Sequence, residues 1–195
     1  RTLVEHVCKA HVAKEERDAL FELSRDMKFM PGGRYLYYAG RDKAFFNNCY
    51  LLKAEEDTRE DWANLSWKAE SCLMTGGGIG IDYSILRPAG KPLSKTGGIS
   101  SGPLPLMQMV NEVGRGIMQG GSRRSAIYAS LNWLHEDIPL FMKVKNWSDD
   151  VKFMKEKDFN FPANLDMTNI SINYDNKWKY NADRANLHTF VENCR

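Results

Sequence analysis

Hydrophobic and polar positions recur along this chain in two periods, and the switches between them mark out its elements. In residues 14–27, KEERDALFELSRDM, an acidic first turn leads into Leu20, Leu23 and Met27 on one helical face. MPGGR at 30–34 ends that helix. FFNNCYLL, 45–52, has the apolar run of a buried strand. Residues 57–75 then place Trp62, Leu65, Ala69, Cys72 and Leu73 at the spacing of a buried helical stripe, with Asp57-Thr58 as a cap ahead of it. GGGIGIDYS turns into a short strand, and LRPAGKPLSKTGGISSGPLP is a long loop whose Gly, Pro and Ser content opposes regular structure. Leu106, Met109, Val110, Val113 and Ile117 predict another amphipathic helix, closed by QGGSRR. SAIYASLNW reads as a strand, EDIPLFMKVKN as a helix, 147–164 as a charged irregular stretch, and NISINYD as a last strand before a helix beginning near Asp183. Strands alternating with helices, without repeats, give an α/β fold with a mostly parallel sheet.

Composition narrows the function classes. With 27 Lys and Arg against 25 Asp and Glu the net charge is +2, so no basic field for nucleic acid exists and an anionic partner must be met locally. Cys8, Cys49, Cys72 and Cys194 lie far apart without CxxC or His/Cys ligand spacing, which points to reduced thiols and no metal site. No run approaches the ~20 apolar residues of a membrane helix, and no leader opens the chain, so the cytoplasm is the expected compartment, with no membrane partner. The chain begins at Arg1 without Met and stops inside a helical pattern, the expected look of a fragment cut at both ends.

Three glycine-rich loops carry the candidate chemistry: GGGIG (76–80), KTGGISSGP (95–103) and QGGSRRS (119–125). Glycine lets backbone N–H groups converge on a phosphate, and Lys91, Lys95, Arg123 and Arg124 add charge nearby. Each loop alone is equally compatible with a plain turn, because no GK[ST] completes a P-loop. His6, His11, His135 and His188 have no nucleophile at a readable spacing, and His135 fits the start of a helix. A lone cysteine such as Cys49, within an apolar run, is most often a small hydrophobe.

The order of motifs changes that weighting. MPGGR, FNNC, GGGIGIDYSILRPAGKP, SSGPLPLMQM and QGGSRRSAIYASLNWLHEDIPLFM, from about Phe29 to Asn146, together resemble the start of the catalytic barrel of ribonucleotide reductases. PGGR, GGGIG and SSGP are most similar to the adenosylcobalamin-dependent class. The resemblance implies the N-terminal half of a ten-stranded α/β barrel over residues 29–195, preceded by a helical lead-in over 1–28.

It also implies a chemistry. Cys49 stands where the family has one half of a thiol pair that supplies two electrons for removal of the ribose 2'-hydroxyl and becomes a disulfide. A further cysteine, as a thiyl radical, takes the 3'-hydrogen, and adenosylcobalamin starts the radical. Asn48 and Gly78 match substrate-contacting positions, and Arg123 the position that reaches the substrate base from the specificity loop, where Ser125 replaces a common glycine. Asp57, Arg87, Ser94, Lys95 and Gln119 match the region that binds a dNTP or ATP effector. The implied partners are a ribonucleoside di- or triphosphate, a thioredoxin-type reductant and a second copy in a homodimer. The family's radical-bearing cysteine, second redox cysteine and C-terminal thiols have no counterpart before Arg195, so Cys8, Cys72 and Cys194 read as structural and the segment alone is expected to be inactive. Two alternatives stay open: the oxygen-dependent class with a separate radical subunit, and a non-catalytic nucleotide-binding regulatory module.

Overall fold

In the computed structural model, which describes residues 13–42, 45–117 and 125–175, the chain divides into two units, Arg1–Asn48 and Cys49–Arg195. In the first, α1 (Lys14–Arg25) opens with Glu15 and Glu16 and closes with Arg25, charges that complement the helix dipole. The Glu16 carboxylate accepts the Ala13 N–H at 3.2 Å. The helix ends two residues earlier than its apolar spacing predicts, with Met27 in the left-handed region at φ 58°. Two residues of its apolar face, Leu23 and Met27, are 43% and 74% exposed. PGGR, expected only as a stop, leads into a second helix, α2 (Gly33–Tyr38). Tyr35 of α2 stacks on Phe46 with ring centroids 4.7 Å apart, and Tyr38 meets Phe45 and Phe46 edge-on.

The second unit is built on a four-stranded, wholly parallel sheet in the order β1-β2-β3-β4, with β1 Cys49–Lys53, β2 Gly78–Asp82, β3 Ile127–Asn132 and β4 Thr168–Asn173. Between them run α3 (Arg59–Met74), α4 (Leu104–Gly116), and the pair α5 (Ile138–Lys143) and α6 (Asp149–Lys157). Each crossover adds its strand beside the previous one without reversing direction. That progression builds a barrel wall, whereas a doubly wound sheet reverses at a switch point. The α/β expectation is met.

One face of the sheet is covered. Ile79, Ile81, Ile127, Ala129 and Leu131 project into a core shared with Leu65, Ala69 and Leu73 of α3 and Leu106, Met107 and Val110 of α4. Trp62 and Cys72, placed in the α3 stripe by sequence, are only partly buried beside that core. Met109, expected on the inner face of α4, is 58% exposed, and Asn111 takes a fully buried place there instead. The opposite face carries Cys49, Leu51 and Lys53 in register with Gly78, Gly80 and Asp82, continuing through Tyr128 and Ser130 to Asn169 and Ser171. Among the described residues of this unit, no helix covers that face at β1: Leu51 is 83% exposed. FFNNCYLL is therefore not a buried strand. Its first four residues lie outside the strand, and the rest is a half-exposed edge.

Two connections differ from expectation. The long loop contains an antiparallel turn with a bridge between Pro92 and Ile99, closed by Ser100 N–H to Lys91 O at 2.7 Å and Leu93 N–H to Gly98 O at 3.0 Å. Gly97 and Gly98, at φ 71° and 83°, supply the left-handed backbone that lets it fold back. The stretch 147–164, expected to be irregular, contains α6, which begins at the Ser148 side-chain cap and carries Asp149 and Asp150 in its first turn and Lys155 and Lys157 in its last.

The far end of the long loop is wedged against the turn before α5. The buried Asp137 accepts the Ala89 N–H at 3.0 Å. Gly102, at φ 76°, passes so close that a Cβ would stand 2.5 Å from the Asp137 carboxylate and 2.9 Å from the Ala89 nitrogen. Gly102→Ala combines a strained backbone with a clash and is expected to destabilise the protein by about 2–3 kcal/mol, read as a lower urea midpoint with unchanged slope. A loss under ~0.5 kcal/mol would mean that the loop end is free to shift.

Candidate functional site

The first strand places its cysteine at an opening. Cys49 is the first residue of β1, exposed on the uncovered face, and its register partner on β2 is Gly78. A Cβ at Gly78 would lie 3.6 Å from Cys49 Sγ and 3.4 Å from Ala126 Cβ, so the missing side chain keeps the space beside the sulfur clear. Gly80 repeats the effect one row on, where a Cβ would lie 3.4 Å from the Tyr128 ring and 3.7 Å from Leu51. The glycines of GGGIG thus flatten a face. They do not form a phosphate nest: Gly76 N–H goes to Leu73 O at 2.8 Å, Gly77 N–H to Cys72 O at 3.3 Å and Ile79 N–H to Ala126 O at 2.9 Å.

Asn48 closes the first unit, where its Nδ2 lies 3.7 Å from the position a Gly32 Cβ would take. In that unit Arg34 Nε donates to Asn47 O at 3.2 Å, which holds the stretch before Asn48 to α2. Cys72 differs from Cys49 in setting, since partial burial raises its thiol pKa and so suppresses the reactive thiolate.

A second group of candidate residues gathers at the start of α3. Thr58, not Asp57, is the cap, accepting the Asp61 N–H at 3.2 Å. Asp61 in turn accepts the N–H groups of Glu56 at 2.9 Å and Glu55 at 2.6 Å, which hold its carboxyl below the usual range. Asp57 is ion-paired with Arg87, whose guanidinium also donates to Asp57 O and Pro92 O, each at 3.2 Å. Arg87 therefore ties the β1–α3 connection to the base of the 92–99 turn. Ser94 and Lys95 are exposed near the tip of that turn. At the start of α3, the Arg59 guanidinium holds the Glu60 carboxyl below its usual range. Sequence brought Asp57, Arg87, Ser94 and Lys95 together as a list, and the fold assembles them around one loop. Arg123 and Gln119, with the QGGSRR loop, lie outside the described residues.

His135 is structural, as expected of a residue at the start of a helix. Its Nε2 donates to Leu86 O at 2.8 Å and its Nδ1 accepts the Asp137 N–H at 3.1 Å. Among the described residues no three His, Cys, Asp or Glu side chains converge to hold a metal, and no helix is long and apolar enough to cross a membrane. Sequence reasoning missed Tyr50, whose ring packs over Gly77. The signal was an aromatic beside the candidate cysteine facing a glycine run.

Comparison with known proteins agrees with this geometry. Residues 47–176 match the family described as ribonucleotide reductase, barrel domain. The chain is 30% identical over 169 residues to the vitamin B12-dependent ribonucleoside-diphosphate reductase of Mycobacterium tuberculosis, covering 87% of this chain and 22% of that protein. It is 30% identical over 130 residues to the vitamin B12-dependent ribonucleoside-diphosphate reductase of Thermoplasma acidophilum, 67% of this chain and 17% of that one. The ribonucleoside-diphosphate reductase large subunit of Vaccinia virus is 30% identical over 126 residues, 64% of this chain and 16% of its own. The chain thus spans about a fifth of the length of the curated relatives it matches. A parallel sheet that grows strand by strand, a cysteine exposed at its first position and a profile match across all four strands have one common explanation: this chain belongs to the ribonucleotide reductase family and carries part of its barrel domain.

Proposed function

We propose that the protein containing this chain reduces ribonucleotides to 2'-deoxyribonucleotides, with Cys49 as one half of the redox thiol pair. The observation that carries this is the placement of Cys49 at the head of β1, exposed on the open sheet face and opposite a glycine. Two thiols give up two electrons and two protons and form one disulfide. The electrons and protons leave the ribose as the deoxy sugar and its hydroxyl as water, and a thioredoxin-type dithiol reopens the bond by exchange. Residues 1–28 form a lead-in and residues 29–195 the first part of the barrel. Asn48 and Arg123 contact substrate, and Gly78 brings its backbone close to it.

Dependence on adenosylcobalamin is supported by the likeness to the two vitamin B12-dependent relatives. When bound, that cofactor supplies the radical. His135, the only histidine among the described residues, has both ring nitrogens engaged and offers cobalt no ligand.

The group around α3 fits a deoxynucleotide or ATP effector region, with Lys95 and Ser94 exposed for phosphate and Gln119 from the specificity loop. Arg87 acts there by holding the loop, because its donors are already taken by Asp57 and Pro92. Lys95→Ala in the full-length protein is expected to weaken dNTP binding by about 5- to 10-fold and to flatten its salt dependence. Arg87→Ala is expected to weaken it with the salt dependence kept. Equilibrium dialysis at two ionic strengths separates the two, and unchanged affinity in both variants would remove the effector assignment. The reductase assignment itself is tested by substituting Cys49.

A further inference from the structure

We infer that Gly77 is a positioning residue for Cys49, acting through the ring of Tyr50. Helix α3 ends in a paired turn: Gly76 sits at φ 83° with its N–H on Leu73 O, and the Gly77 N–H reaches back to Cys72 O. In such a terminus the residue at the position of Gly77 commonly carries an apolar side chain that packs back onto the last turn. Here that side chain is absent and the Tyr50 ring takes its place. A Cβ on Gly77 would stand 2.5 Å from Tyr50 Cε2 and 2.9 Å from Cδ2, closer than atoms can approach. Tyr50 packs against the core and its backbone pairs in register with Ile79, so displacing the ring disturbs that packing at the start of β1.

The consequence falls on the neighbouring residue. Cys49 and Tyr50 are consecutive on β1 and point to opposite faces, and each is cleared by one of two consecutive glycines. Gly78 opens the exposed face beside the sulfur, and Gly77 opens the covered face for the ring. Tyr50 on Gly77 therefore fixes the height and tilt at which β1 begins, and with it the position of the thiol. The inference deepens the proposed function in assigning how its cysteine is held, although the clamp itself rests on packing alone.

The test uses the full-length protein with Gly77→Ala, Tyr50→Leu and the pair. Labelling of Cys49 by iodoacetamide, followed on its own peptide by mass spectrometry, reads the position of the thiol without assuming any activity. The rate in Gly77→Ala is expected to differ from wild type by about threefold or more, and the pair is expected to match Tyr50→Leu alone, because the smaller side chain makes room for the new methyl. Turnover in Gly77→Ala is expected to fall about tenfold or more with KM within about twofold, and to be rescued in the same pair. A wild-type labelling rate in a folded Gly77→Ala protein overturns the clamp. If that variant does not fold, the pair is read against Tyr50→Leu: equal labelling supports the clamp, and unequal labelling or an unfolded pair overturns it. Absence of turnover in the wild-type protein would count against the reductase assignment and leave the labelling result standing.

Discussion

Cys49→Ser in the full-length protein is expected to abolish ribonucleotide reduction, with turnover falling on the order of 10³-fold or more, while substrate and effector affinities stay within about twofold. A serine fills nearly the same volume on an exposed strand position, so the fold loses little. It cannot form a disulfide, so the two electrons have no source and the residual rate is that of a site that binds without reducing. A 10³-fold loss corresponds to about 4 kcal/mol of transition-state stabilisation. The measurement is multiple-turnover reduction with a dithiol reductant, beside equilibrium nucleotide binding on the same preparation. Full turnover in Cys49→Ser would sink the redox assignment and favour a module that binds nucleotides without reducing them.

The same cysteine shows how far the sequence could be read. The α/β alternation and the order of motifs were legible because strands and helices have different apolar periods and because five motifs in sequence are hard to produce by chance. The apolar run at 45–52 misled, since an edge strand at the start of a barrel wall looks locally like a buried one. What distinguishes them is which neighbours cover each face, and that is set by β2 and α3, not by the run itself. Glycine chemistry misled in a related way. GGGIG was compatible with a phosphate nest, yet the described N–H groups of Gly76, Gly77 and Ile79 bond to backbone carbonyls, and the glycines serve by lacking side chains. In contrast, α6 was legible and passed over: Ser148, two acids and two lysines mark both ends of a helix, although its residues alternate too little in hydrophobicity to show a buried face. Asp57 and Arg87 were placed in one region through the resemblance, but their ion pair spans 30 positions and no local pattern encodes it.

Asp166→Asn, in the turn before β4, is expected to be the most damaging polar substitution around this sheet, costing about 3–5 kcal/mol of a total stability of about 5–15. The carboxylate is 1% exposed and is met by Arg115 of α4 and Lys155 of α6, themselves 17% and 12% exposed, with Asn111 Nδ2 at 3.0 Å. Asn111 is fully buried and accepts the Met167 N–H and the Thr168 hydroxyl, each at 2.9 Å, so the cluster pins the start of β4 to α4. Removing the negative charge strands two nearly buried cations, and among the described residues only Arg115 has a second carboxylate, Glu112, to turn to. Burial by itself would raise the Asp166 pKa, but hydrogen bonds from Arg115, Lys155 and Asn111 outweigh it and bring the group down from 3.8 to about 2. A folded-state value below the unfolded one means that the unfolded chain takes up the proton first. The contribution is therefore complete above the unfolded value of 3.8 and drains away as pH falls through about 2. Urea unfolding of wild type and variant between pH 2 and 6 should show the gap at its full width near pH 6 and narrowing below pH 4. A gap that stays constant across that range would mean that the amide variant fails through packing and not through charge, and a gap under ~1 kcal/mol at pH 6 would leave β4 held by its ladder with β3 alone.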